Sequence, residues 1–146
     1  MDDLPQWIKN IAIHCGTYDR LKYIDNIWFS LESVGFYVPF AAYEHEKDGN
    51  LRGVMDRFDA LHKTLNTNDR FKNINPIYII VARDEKQVNS YKRKITEGGH
   101  GDWKAFSESH NFYIFSLKDV KEKRSNYLRT ISKHLRKIPR SNIRID

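Results

Sequence analysis

A short apolar run near the middle of the chain restricts the fold more than any other feature. Residues 77–82 read Ile-Tyr-Ile-Ile-Val-Ala and lie between Pro76 and Asp84. The shortness of the run and its β-branched side chains favour a strand, and a strand without polar alternation is covered on both faces. Covering both faces requires helices above and below the sheet. We therefore expect an α/β domain.

The rest of the chain predicts a mixed β-sheet flanked by helices. The clearest helix covers residues 51–65, where apolar side chains recur at intervals of three and four. Pro39 indicates a bulge or an unpaired position inside its strand. Other helices are predicted over 5–14, 84–95 and about 117–138, with a helical turn at 103–108, and other strands over 21–29, 36–46 and 111–115. The order α-β-β-α-β-α-β-α indicates a single domain over residues 1–146.

The ends of the chain carry opposite charge. Residues 1–48 hold four Lys/Arg and eight Asp/Glu, whereas residues 117–146 hold ten Lys/Arg and three Asp/Glu. A cationic end favours contact with the phosphates of a polyanion, and the alternative is a solvated helix face. The basic side chains that we predict to contact nucleic acid are Lys121, Arg124, Arg129, Lys133, Arg136 and Lys137.

Other sequence features bear on the compartment. No segment approaches about 18 consecutive apolar residues, so we expect no membrane span. The first residues, Met-Asp-Asp-Leu-Pro, lack the basic and apolar regions of a secretory signal. Cys15 is the single cysteine, which excludes an internal disulfide and fits a reducing, cytoplasmic environment.

Two acidic residues close the second predicted strand. Glu44 and Glu46 alternate onto one face of the strand, and that face is apolar before them. An apolar face that becomes acidic is costly unless its charges are paired, and divalent cations prefer carboxylate oxygens. The alternative is that the two glutamates lie on a solvated strand face.

Asp25 is the third candidate ligand, because it lies among apolar residues of the first predicted strand. If the two strands pair as neighbours, Asp25 approaches Glu44. The three carboxylates would then surround one or two Mg²⁺ (or Mn²⁺) ions, which would activate a water molecule and neutralise a scissile phosphate. Alternatively, Asp25 pairs with a basic neighbour such as Arg20 or Lys22.

Four segments in this order carry a likeness to a known family. They are residues 24–29 (IDNIWF), 41–46 (AAYEHE), 53–61 and 75–82 (NPIYIIVA). Together they resemble restriction-endonuclease-like domains of the PD-(D/E)xK nuclease superfamily. The likeness covers roughly residues 20–95, and its specificity lies in the order and spacing of short motifs.

The resemblance implies a metal-dependent endonuclease that hydrolyses DNA phosphodiester bonds in restriction, defence or DNA processing. Asp25 and Glu44 would bind the metal. Glu46 stands where the superfamily most often has lysine, and it would serve as a metal ligand or as the base that activates water. Lys47 points to the opposite strand face, and Lys63 is a more distant substitute.

Other functions stay open at this point. The departure at Glu46 is compatible with a catalytically degenerate module that binds nucleic acid or protein, and RNA processing is a third alternative. A homodimer or a partner chain that supplies sequence specificity is compatible with the pattern. His62 is interpreted as a partnered core histidine. Residues 98–101 (GGHG) are interpreted as a flexible connection, with a position near substrate as one alternative.

Overall fold

The computed structural model describes residues 4–31, 37–67, 69, 71–135 and 143–144. Twelve helices and strands fall within this part of the chain. They are α1 Gln6–Cys15, α2 Tyr18–Leu21, β1 Asn26–Leu31, β2 Tyr37–Glu46, α3 Leu51–Asn66, β3 Ile77–Ala82, α4 Glu85–Glu97, α5 Gly101–Ser109, β4 Asn111–Ser116, α6 Leu117–Lys121, α7 Ser125–Leu135 and β5 Ile143–Arg144.

The strands form one mixed sheet in the order β4-β3-β2-β1-β5. β3 runs parallel to β2 and β4, whereas β1 runs antiparallel to β2 and to the two-residue strand β5. Every residue of β3 is buried, as the uninterrupted apolar run predicts. The sequence-based expectation of an α/β fold with a mixed sheet flanked by helices is confirmed.

Alternation along β3 divides the core into two layers. Tyr78 and Ile80 pack on the face that α1, α3, α4 and α5 cover. Ile77 and Ile79 pack on the opposite face with Tyr127 of α7. Because successive strand residues point to opposite faces, six apolar residues in a row bury both sides of the sheet.

Local capping explains where several helices begin and end. Asn50, Asp84 and Ser116 each accept a hydrogen bond from the backbone N–H three residues further on, at 3.3, 2.8 and 3.1 Å. Gly16 ends α1 in the left-handed region, with φ of 77°. The predicted bounds of α3, β3 and α4 therefore agree closely with the structure.

Pro39 coincides with a bulge in β2. The register with β1 shifts between Trp28, opposite Ala41, and Phe29, opposite Pro39, which leaves Phe40 without a partner. Phe40 consequently packs on the α7 face, whereas Ala42 packs on the α3 face. The prediction of a bulge or an unpaired position is confirmed.

The predicted order of elements was wrong at several points. Leu21, predicted as the first residue of a strand, ends the short helix α2, and β1 begins only at Asn26. The predicted helical turn at 103–108 is the two-turn helix α5. Within the described helices, none combines the length and the apolar character that a membrane crossing requires.

The basic C-terminal helix predicted over 117–138 was also wrong as a continuous element. It is broken into α6 and α7 around Lys123, whose φ is +49°. The Asp119 carboxylate accepts hydrogen bonds from Arg124 and Asn126, at 3.2 and 3.0 Å, and holds the chain in this turn. Residues 136–138 lie outside the described part of the chain.

Candidate active site

Asp25 lies immediately before β1 and beside the end of β2. Antiparallel pairing sets Asn26 opposite Tyr43, so the preceding aspartate arrives next to Glu44 and His45. The Asp25 Oδ2 atom accepts a hydrogen bond of 2.7 Å from the backbone N–H of His45. The Asp25 carboxylate is exposed, so it is open to a ligand from solvent.

Glu44 is buried in β2, with 2% of its side chain exposed. It points to the face that α3 covers, and Arg57 of that helix forms an ion pair with it through the Arg57 Nε and the Glu44 Oε1. Arg57 is 22% exposed, so the guanidinium joins the buried carboxylate to the surface. This pairing provides the partner that a buried glutamate requires.

The electrostatics of Glu44 show that burial outweighs this pairing. Burial raises the pKa of Glu44 to about 7, although the hydrogen bond and the charge of Arg57 oppose the rise. The Asp25 carboxylate, which is close enough to interact with Glu44 by charge and by hydrogen bonding, raises the pKa further. The structure therefore brings these two predicted ligands together, at a point where an added positive charge would favour an ionised Glu44.

Glu46 lies two residues along the same strand face, at the last position of β2. Its Oε1 accepts a hydrogen bond of 2.7 Å from the backbone N–H of Asp48, and its main-chain oxygen accepts one of 3.1 Å from the Tyr91 hydroxyl. The Glu46 side chain thus braces the turn between β2 and α3. Within the described residues, no three Asp, Glu, His or Cys side chains converge as a ready metal site.

Two carboxylates match the usual protein contribution to a Mg²⁺ site. Mg²⁺ keeps several waters and binds one or two carboxylates together with substrate phosphates. The Asp25 and Glu44 pair therefore fits such an ion on donor chemistry. The role of Glu46 as a third ligand or as a base stays a prediction.

Arg57 is the site residue that sequence reasoning missed. Its guanidinium lies along α3 over Gly53, one helical turn earlier. A Cβ atom at Gly53 would lie 3.1 Å from Arg57 Nη1 and 2.9 Å from Asn50 Nδ2, so only glycine leaves this space free. A glycine inside a strongly amphipathic helix, four residues before an arginine, is the signal that could have identified this position.

The predicted nucleic-acid contacts that the structure describes lie on the other side of the sheet. Tyr43 points away from the Glu44 face, and its hydroxyl contacts the Tyr127 hydroxyl of α7 at 2.8 Å. The basic residues of α6, α7 and the turn between them thus sit on the face opposite Glu44. Lys121, Arg129 and Lys133 are exposed, Arg124 pairs with Asp119 and Glu122, and Arg136 and Lys137 lie outside the described residues. Their contact with nucleic acid stays a prediction.

The structure gives ring partners to His62 and to His100 of the segment 98–101. His62 is half-buried, and its Nδ1 lies 3.1 Å from the His110 Nε2, so it is a partnered histidine as expected. His100 stacks on Trp103, with ring centroids 3.9 Å apart.

Comparison of the chain with protein-family models, with curated proteins and with solved structures finds no match. Function is consequently inferred from the geometry of Asp25, Glu44 and Arg57.

Proposed function

We propose that the protein is a metal-dependent endonuclease that hydrolyses phosphodiester bonds of DNA. The observation that carries the proposal is the placement of Asp25 at the end of β2, where the His45 N–H holds its carboxylate within interaction range of Glu44, which Arg57 pairs. Two carboxylates held together repel each other, and a divalent cation relieves that repulsion. The sequence likeness to the PD-(D/E)xK superfamily supports the same assignment.

The arrangement of elements also supports a restriction-endonuclease-like core, which we include in the proposal. An antiparallel pair, β1 and β2, carries the two acidic residues, α3 follows, and β3 then pairs in parallel with β2. This is the order that the likeness implies for residues 20–95.

Each side chain has a distinct part in the proposed reaction. Asp25 and Glu44 would hold Mg²⁺ or Mn²⁺, which supplies an activated water molecule and neutralises charge on the phosphate. Arg57 pairs with the Glu44 carboxylate, and its fixed positive charge would stabilise the negative charge that develops on the phosphate. Glu46, two residues further along the same strand face, would bind the metal or accept a proton from water.

Plasmid cleavage tests the proposal directly. Purified protein is incubated with supercoiled plasmid and Mg²⁺ or Mn²⁺, and an EDTA sample serves as the metal-free control. We expect Asp25→Asn and Glu44→Gln each to lower the rate by about 100-fold or more, because each removes a charged ligand from the site. Glu97→Gln, the same chemical change at an exposed position, is expected to cut like the wild type.

Metal binding has a separate readout in thermal unfolding without DNA. Mn²⁺ should raise the Tm of the wild type, because a ligand at about 100 times its Kd stabilises the folded state by about 2.7 kcal/mol. Asp25→Asn should abolish the increase. Duplex binding without cleavage and without a metal-dependent rise in Tm would contradict the nuclease proposal and favour the degenerate module.

A further inference from the structure

A pocket beside the candidate active site is lined by basic residues. It has a volume of about 360 Å³ and lies between the start of α3, the end of α4 and the start of α5. Arg52, Lys94 and His100 line it together with Asn50 and Trp103, and no acidic residue is among its described lining. We call this cavity the basic pocket.

Trp103 positions two of the basic side chains. It is buried, with 7% of its surface exposed. His100 stacks on the indole at 3.9 Å, and the Arg52 guanidinium lies over the same ring at 5.8 Å. Arg52 and Lys94 are themselves exposed, and neither pairs with a carboxylate within the described residues. Their positive charges are therefore available to an anion.

The basic pocket lies next to the turn that follows the acidic end of β2. Asn50 lines the pocket, and its side chain and that of Arg57 both lie beside Gly53. On the other side, the backbone N–H of Gly49 donates to the Tyr91 hydroxyl at 3.1 Å, and this hydroxyl donates to the Glu46 carbonyl. The pocket and the strand end that carries Glu44 and Glu46 therefore border the same turn between β2 and α3.

We propose that the basic pocket binds a second phosphate of the nucleic acid strand, next to the phosphate that is cleaved. This inference rests on the nuclease function proposed above. Arginine binds phosphate oxygens through its planar fork of N–H donors, and lysine adds a mobile point charge. The phosphate is either an internal phosphodiester or a phosphomonoester at a strand end. The pocket places cations on the Glu44 face of the sheet, which α6 and α7 do not cover.

Binding without cleavage tests the pocket independently of catalysis. Fluorescence anisotropy in EDTA measures the affinity of a short labelled duplex for wild-type protein and for Arg52→Gln/Lys94→Gln. We expect the double variant to bind about tenfold more weakly or worse, and its slope of log affinity against log salt to fall by about 1 to 2. Lys86→Gln/Arg93→Gln is the matched control, because it likewise removes two positive charges, both from exposed positions of α4.

Two substrates, a closed dumbbell duplex and an open duplex that carries a 5′-phosphate, distinguish the two sources of the phosphate. An equal loss on a closed dumbbell duplex and on an open duplex assigns an internal phosphodiester. A loss confined to a duplex with a 5′-phosphate assigns a strand end. Unchanged affinity and salt slope in the double variant would overturn the proposal. If the double variant fails to fold, unchanged affinity and salt slope in Lys94→Gln alone would overturn it equally.

The outcomes for the pocket and for the nuclease proposal are separable. Cleavage by the wild type together with normal DNA binding by the double variant would remove the pocket and keep the nuclease. Binding that depends on Arg52 and Lys94, with no cleavage in any metal, would keep the pocket as a phosphate site and remove the nuclease.

Discussion

Replacement of Glu44 by glutamine is expected to remove a large pH dependence of folding stability. Burial, opposed by Arg57 and reinforced by Asp25, raises the pKa of Glu44 from about 4.5 to about 7 in the folded protein. The folded state therefore binds the proton more tightly than the unfolded state. This contribution to stability is fully present below about pH 4.5 and is lost as the pH rises through about 7.

The size of the effect follows from the two pKa values. Each pH unit between them corresponds to about 1.4 kcal/mol, so Glu44 should remove about 2 to 3 kcal/mol from the free energy of unfolding between about pH 5 and 8. Glutamine does not titrate. The free energy of unfolding of Glu44→Gln, minus that of the wild type, should thus rise by about this amount over the same interval.

Urea unfolding followed by tryptophan fluorescence, in EDTA at several pH values, measures this difference. Taking the difference between variants cancels the other titrating groups, such as His62, whose pKa is lowered by burial and then by the charge of His110. Glu97→Gln should follow the wild type, because its carboxyl stays in water when the chain folds. Parallel pH profiles for Glu44→Gln and the wild type would refute the reasoning.

Two further predictions concern Arg57. Arg57→Ala should lower the free energy of unfolding by about 2 kcal/mol at pH 8, because it leaves a buried carboxylate unpaired, and by less at pH 6, where Glu44 takes up a proton. Urea unfolding should show that this cost largely vanishes in a Glu44→Gln background. An undiminished cost in that background would disprove the pairing. Gly53→Ala should change the free energy of unfolding by no more than about 1 kcal/mol, because the helix propensity of alanine offsets the crowding of its Cβ against Asn50 and Arg57. The same substitution should slow plasmid cleavage about tenfold or more, because it displaces Arg57. Gly101→Ala, where a Cβ meets no atom within 4 Å, is the control, and equal cleavage by both variants would contradict the role of Gly53.

The fold was predictable where one short pattern determines one element. The apolar run 77–82 became β3 at the same residues, and the periodic segment after Asn50 became α3. Prediction failed where a break inside an apolar periodic pattern depends on a particular side-chain contact. The interruption between α6 and α7 requires the Asp119 carboxylate to reach Arg124 and Asn126, and no apolar periodicity reveals that contact.

The candidate site, like the fold, was predictable from the sequence only in part. The approach of Asp25 to Glu44 follows from pairing two strands that are close in sequence, so sequence reasoning could anticipate it. Arg57 reaches Glu44 only because α3 packs across the sheet, and this packing is a tertiary property. The bulge at Pro39 was anticipated, but not its effect of sending Phe40 to the α7 face.

The amide that holds Asp25 belongs to the main chain of residue 45, while the His45 imidazole itself is exposed. The position of the Asp25 carboxylate therefore does not depend on which side chain stands at residue 45. Proline is the one exception, because it lacks the required N–H. Residue 45 is accordingly a natural attachment point for a chemical reporter. In a His45→Cys/Cys15→Ser variant, a thiol-reactive dye or spin label would attach on the strand face opposite Glu44, while the backbone that aligns the two acids stays intact.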